Sequence, residues 1–203
     1  MKTISTNKTS EQKRTAKIAI IIVIFIIIVV GYYTYLSNKT KEVQQEATLS
    51  VVQNTLARDL SRDYPPTPKE VVKYYNEILK CFYNEECTEG EIEALGNQAR
   101  ELYDAELLEN NELGTYLLNL QKDIQEYREN NRRITSVSLA SSTNVDFYEE
   151  DGFSFARIMC GYDIMEGTVK HPSDQVYLLR QDEEKKWKIY GWQSADEYEE
   201  GAQ

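Results

Sequence analysis

Val176-Tyr177-Leu178-Leu179-Arg180 and Lys186-Trp187-Lys188-Ile189-Tyr190-Gly191-Trp192 stand on either side of Asp182-Glu183-Glu184-Lys185. Two aromatic and aliphatic runs flanking a short charged stretch read as antiparallel strands over 175–180 and 186–192. This pair decides the fold class, because the chain before it already keeps a period of two from Ile134 onward. Strands are predicted over 134–139 and 145–148, separated by Ser141-Ser142-Thr143-Asn144. Glu150-Asp151-Gly152 is a hairpin signal, and 153–165 reads as one long strand. Residues 167–172, with Pro172, read as the next connection. No helical pattern interrupts the series, so about five strands form an antiparallel meander.

Both faces of these strands are apolar. Over 153–165 one parity carries Phe153, Phe155, Met159 and Met165, and the other carries Ala156, Ile158, Cys160, Tyr162 and Ile164. A sheet with one solvated face alternates apolar with polar. The last strand likewise puts Trp187 and Ile189 on one side and Tyr190 and Trp192 on the other. Helices can cover one face only. The second face is therefore expected to meet residues 39–62, a second copy of the chain or a different protein, with Tyr190 and Trp192 at the interface.

Ahead of the strands, three helices are predicted. Thr67-Pro68-Lys69-Glu70 combines a cap, a proline at the first helical position and an acid three residues on. Val71, Val72, Tyr75, Ile78, Leu79 and Phe82 follow at helical spacing. Thr88-Glu89-Gly90-Glu91 is a second such start, followed by Ile92, Leu95, Ala99, Leu102 and Tyr103. A third helix begins near Asn110-Asn111, with Leu113, Tyr116, Leu117, Leu120, Ile124 and Tyr127 as its stripe. Helices followed by strands give an α+β domain over residues 65–195. Residues 37–64 read as a helical stalk or linker, and 196–203 as an acidic tail.

This element order resembles the NTF2-like superfamily, in which helices fill the concave side of a curved antiparallel sheet to make a cone. The closest likeness is the final hairpin, with Trp187-Lys188-Ile189-Tyr190-Gly191-Trp192 after its charged turn. The single-span layout, Tyr64-Pro65-Pro66-Thr67-Pro68 and the Asp104-Ala105-Glu106-Leu107-Leu108 segment are similar to those of small membrane-anchored bacterial proteins of unknown function. Enzymes of the superfamily place a carboxylate or His base in the cone, facing a Tyr or acid. By that resemblance Tyr74, Tyr75, Tyr103, Asp104, Arg157 and Tyr162 are the pocket candidates. No nucleophile–base pair is visible in the sequence, so a non-enzymatic role is expected. A fold of this kind does not itself specify chemistry.

The other end of the chain sets location. Residues 18–36 hold an uncharged run beginning Ile18-Ala19-Ile20-Ile21-Ile22-Val23-Ile24-Phe25. As a helix it reaches about 28 Å, close to the hydrocarbon core of about 30 Å. A cleaved signal peptide needs an A-x-A-like site, and Gly31-Tyr32-Tyr33-Thr34-Tyr35 offers none. A buried soluble helix of this length seldom lacks a polar residue. An uncleaved transmembrane signal-anchor is the expected reading. Lys2, Lys8, Lys13, Arg14 and Lys17 precede it, with Glu11 the only acid, which keeps residues 1–17 cytoplasmic and the rest outside.

The chain has 34 Asp and Glu against 23 Lys and Arg, a net charge of −11, although its first 17 residues are basic. Such a surface repels phosphate backbones, so nucleic acid is excluded as a partner. The expected partners are the membrane and either an unidentified protein or a second copy. The one histidine, His171, stands beside Pro172, and no Cys-x-x-Cys is present. Neither a metal site nor a cofactor is expected. Cys81 and Cys87 form a disulfide only if the helix ends between them, since six helical residues rise about 9 Å. Otherwise they are small half-buried thiols.

Overall fold

The computed structural model describes residues 49–201. The anchor segment 18–36, the basic tail and the stalk up to residue 48 lie outside them. Among the described residues no helix is long and apolar enough to cross a membrane.

The described chain is an α+β unit beginning at Ser50. Its helices are α1 (Val51–Leu56), α2 (Pro68–Asn84), α3 (Glu89–Arg100), α4 (Ala105–Glu109), α5 (Leu113–Glu129) and α6 (Ala195–Gly201). Between α5 and α6 run β1 (Arg132–Leu139), β2 (Asp146–Glu150), β3 (Phe153–Glu166), β4 (Val169–Gln181) and β5 (Trp187–Ser194). All named pairings are antiparallel, in the order β1-β3-β4-β5. β2 lies on the same edge of β3 as β1, one pairing with residues 153–157 and the other with 160–166. Irregularities at Ile134/Ser136 in β1 and opposite Leu178/Leu179 in β5 bend a curved sheet.

α2 and α3 start where their caps predict, whereas α5 starts at Leu113 with Glu112 as its cap and not at Asn110-Asn111. Thr67 accepts from the Glu70 amide at 3.2 Å with Pro68 at the first position. Thr88 and Glu91 exchange both capping-box bonds. Asp151 and Gly152, both at positive φ, turn β2 into β3, the geometry of a two-residue hairpin. Gly96 lets α3 approach α5; a Cβ there would stand 2.9 Å from Leu117 Cδ2. The helices bury Val71, Val72, Ile78, Phe82, Leu95 and Leu102 against Ala156, Ile158, Leu179 and Ile189.

Asn84 closes α2 and also protects a sheet edge. Its side-chain amide donates to the Ile134 carbonyl at 2.8 Å and accepts from the Ile134 N–H at 2.9 Å. One side chain thus stands in for a neighbouring strand at the bent part of β1.

Three boundaries differ from the sequence reading. The domain starts before residue 65, because Val52, Thr55 and Leu60 are buried in it. Tyr74 also donates to the Thr55 carbonyl at 2.8 Å, and Gln98 to that of Arg58 at 2.7 Å. The residues read as a connection at 167–172 instead form a tight turn at Gly167 and the start of β4. Pro172 is tolerated there because β5 pairs only from Gln175 onward, leaving that end of β4 with a free edge. The acidic tail includes α6, which packs on β4 and β5 with Ala195 buried.

Candidate functional site

The six pocket candidates do not meet in one place. Tyr75 and Tyr103 do meet, on the helix-facing side of the sheet, with hydroxyls 3.0 Å apart. Tyr162 is on that side too but pairs with Tyr177, at 2.7 Å. Tyr74 faces α1, its ring beneath Arg58 at 4.6 Å. Asp104 caps α4 by accepting from the Glu106 amide and takes two bonds from Arg180. Arg157 lies on the opposite face of the sheet, bonded to Asp146 at 2.9 Å.

The interface prediction changes in one residue. Tyr190 does lie on the outer face, edge-on to Phe155 at 5.8 Å. Trp192 does not. Leu178 pairs with Gly191 and Leu179 with Ile189, so Tyr190 is an extra residue in the ladder. The bulge breaks the period of two and returns Trp192 to the side of Ile189. Its indole lies 5.8 Å from Tyr75, 5.9 Å from Tyr103 and 6.1 Å from Tyr177.

Trp192, Tyr75 and Tyr103 wall a cleft of about 220 Å³ between α2, α5 and β5. Tyr83, Tyr116 and Leu79 complete its walls, and Asn111, Asn119 and Asp123 stand at its rim. Burial pushes the phenols of Tyr75, Tyr103, Tyr162 and Tyr177 far above the ordinary tyrosine range, so they are neutral donors and acceptors. Tyr75 bonds to Tyr103 and Tyr162 to Tyr177, and among the described residues none of these four hydroxyls has a carboxylate or His as hydrogen-bond partner. That is no arrangement for drawing off a proton. Two amide oxygens in the interior, Asn76 Oδ1 and Gln98 Oε1, have no partner.

A larger cleft of about 640 Å³ opens between the 60–64 segment, the α3–α4 junction and the β4–β5 turn. Arg180 is held there by Asp104 and, at 3.1 Å, by Glu106. Lys188 donates to the Glu101 carbonyl at 2.7 Å and lies 4.4 Å above the Tyr64 ring. Burial lowers the pKa of its ammonium. With these charges occupied by partners from the chain itself, the cleft is a braced junction.

Cys81, Cys87 and Cys160 are free thiols. α2 does end at Asn84, between Cys81 and Cys87, yet the Cys87 thiol donates to the Cys81 carbonyl at 3.3 Å. Burial pushes the Cys87 thiol up to about 11. No group of three or more His, Cys, Asp or Glu among the described residues is placed to hold a metal ion.

The residues that sequence reasoning missed are Tyr83, Tyr116 and Trp192 in the aromatic cleft, and Arg180 as the partner of Asp104. Tyr83 and Tyr116 carried a signal, since both lie on or beside the helical stripes. Trp192 carried none, because alternation places it on the other face. No curated protein matches the chain. The model of the family described as "Domain of unknown function (DUF6715)" matches residues 5–192, nearly the whole sequence, and the chain belongs to that family.

Proposed function

We propose that this chain is a membrane-tethered, extracytoplasmic module with an NTF2-like cone, and that it works by protein association at the cell envelope and not by catalysis. Residues 18–36 supply the anchor and the basic tail the cytoplasmic side. The family match begins at residue 5 and so includes the anchor segment together with the domain.

The observation that carries the reading is the outer face of the sheet. Met159 is 50% exposed and Phe153 48% exposed, beside the half-buried Leu178 and Tyr190. Apolar groups clustered in this way mark interaction surfaces more often than singly scattered ones do. The occupant is a second copy or an unidentified protein.

A photo-cross-linking residue in place of Met159, in the full-length protein in its native membrane, tests this. A discrete adduct that Tyr190→Glu abolishes is the expected result. Only monomer at every cross-linker position on the outer face removes the association reading. A second reading, binding of a small ligand on the concave side, is favoured by the aromatic cleft.

A further inference from the structure

We propose that the concave cleft is a receptor site for a small organic cation, a quaternary or otherwise alkylated ammonium group. The inference concerns the ligand-binding reading of the concave side and stands apart from the association reading, because it uses none of the outer face.

The walls are Tyr75, Tyr83, Tyr103, Tyr116 and Trp192, with Asp123 at the rim. The face of an aromatic ring carries negative potential and attracts a cation within about 6 Å of the centroid, tryptophan most strongly. Centroid separations of 5.8 Å and 5.9 Å from Trp192 to Tyr75 and Tyr103, and 6.1 Å from Tyr103 to Tyr116, group these rings in one cluster. Trp192 remains 41% exposed, so part of its large ring has nothing against it. Among the described residues no cation lines this cleft. Arg100, which lies over Tyr116 at 5.4 Å, lines the larger cleft.

The polar features agree in sign. Among the described residues the sole charged group lining the cleft is the Asp123 carboxylate, accompanied by the side-chain amides of Asn111 and Asn119. An anion would meet that carboxylate and the negative ring faces. The net charge of −11 draws cations toward the domain. The cavity of about 220 Å³ falls below the range of about 300–1,000 Å³ typical of drug-sized ligands. It suits a compact headgroup.

The test is titration of the full-length, detergent-solubilised protein with tetramethylammonium, choline and 3,3-dimethylbutan-1-ol, the uncharged isostere of choline. It is followed calorimetrically at constant ionic strength. Saturable binding of choline at least about tenfold tighter than of the neutral isostere is expected. Trp192→Leu should weaken it by about tenfold or more. Asp123→Asn, at an exposed position that leaves the fold intact, should weaken it by a few-fold. Trp187→Leu, on the same strand and outside the cleft, should leave it unchanged. Equal binding of choline and its isostere, no saturable binding of either cation, or choline binding unaffected by Trp192→Leu would each overturn the proposal. Loss of cross-linking from Met159 would not bear on it.

Discussion

Ile158 and Met159 are neighbours on β3, yet one is fully buried and the other half exposed. Their parities build two faces of similar apolarity by different means. The inner face is covered by α2, α3 and α5, and four of its tyrosine hydroxyls pair, Tyr75 with Tyr103 and Tyr162 with Tyr177. The outer face has only α6 and a row of alternating rings and guanidinium groups. Arg157 lies over Tyr148 and Tyr198, Tyr148 stacks on Phe155, Phe155 meets Tyr190, and Arg180 lies over Tyr190 and Phe153. A helix layer removes apolar surface from water. An arginine ladder shields it while leaving charge at the surface. The same alternating sequence therefore serves a core on one side and a part-exposed apolar and aromatic surface on the other.

The largest expected effect falls on the inner face as a whole. Its buried phenols and the Cys87 thiol keep their protons more strongly in the folded than in the unfolded chain. The folded state then binds more protons, so stability falls as pH rises. It is fully present below pH 9, the ordinary thiol value, and is lost as pH climbs through about 11 and beyond. Urea midpoints should hold constant to pH 9 and then decline. Absorbance at 295 nm should show a block of tyrosines ionising only in the unfolding step. Smooth ionisation of all tyrosines without unfolding would mean the inner face is open to water.

Asp104→Ala comes next, and it probes where the two faces join. Arg180 belongs to the outer ladder but ends on Asp104, whose side chain is 5% exposed. Removing Asp104 costs about 2–5 kcal/mol, from the lost helix cap and the lost charge-assisted bonds, while Glu106 at 3.1 Å keeps Arg180 partly compensated. Part of the loss should return in the double variant with Arg180→Met. Additive losses would show that the two residues act independently.

Third is the neighbouring pair itself. Ile158→Ala should cost about 2–5 kcal/mol, and Met159→Ala within about 0.5 kcal/mol, as for surface positions. Chemical denaturation measures both. A large cost at Met159 in the isolated protein would move it from interaction surface to core.

Much of this contrast was legible in the sequence, for physical reasons that can be located. Apolar spacing and caps foretold α2, α3 and α5, and the Asp151-Gly152 turn needs no tertiary context. Apolarity on both parities of β3 foretold apolar residues on both faces of the sheet. The β5 bulge was not legible, because one inserted residue reverses every later assignment of faces. α1 lies within the stretch read as a helical stalk, but its docking into the domain, through the Tyr74 hydroxyl and the core around Val52, was not legible. The pocket candidates scattered because residue type and resemblance carry no information on which cleft a side chain enters. Asp104 was sought as a base, but its position at the start of a helix makes it a cap first.

A loss smaller than that at Ile158 is the sharpest test of the ladder. Arg157 contributes two ring contacts, at 5.0 Å to Tyr148 and 4.9 Å to Tyr198, and an ion pair with an exposed Asp146. Exposed cation–π contacts contribute about 0.5–1 kcal/mol each, and an exposed ion pair about 0–1 kcal/mol. The contributions overlap, so Arg157→Ala should cost about 1 kcal/mol, and Arg157→Lys less. The loss should also be local. Tyr198 is the residue through which α6 meets Arg157, so amide exchange at 195–198 should quicken while Ile158 and Leu179 stay protected. If instead the whole sheet loosens with Arg157→Ala, the outer row is a second core, and the apolar surface offered for association is smaller than the exposure of Met159 implies.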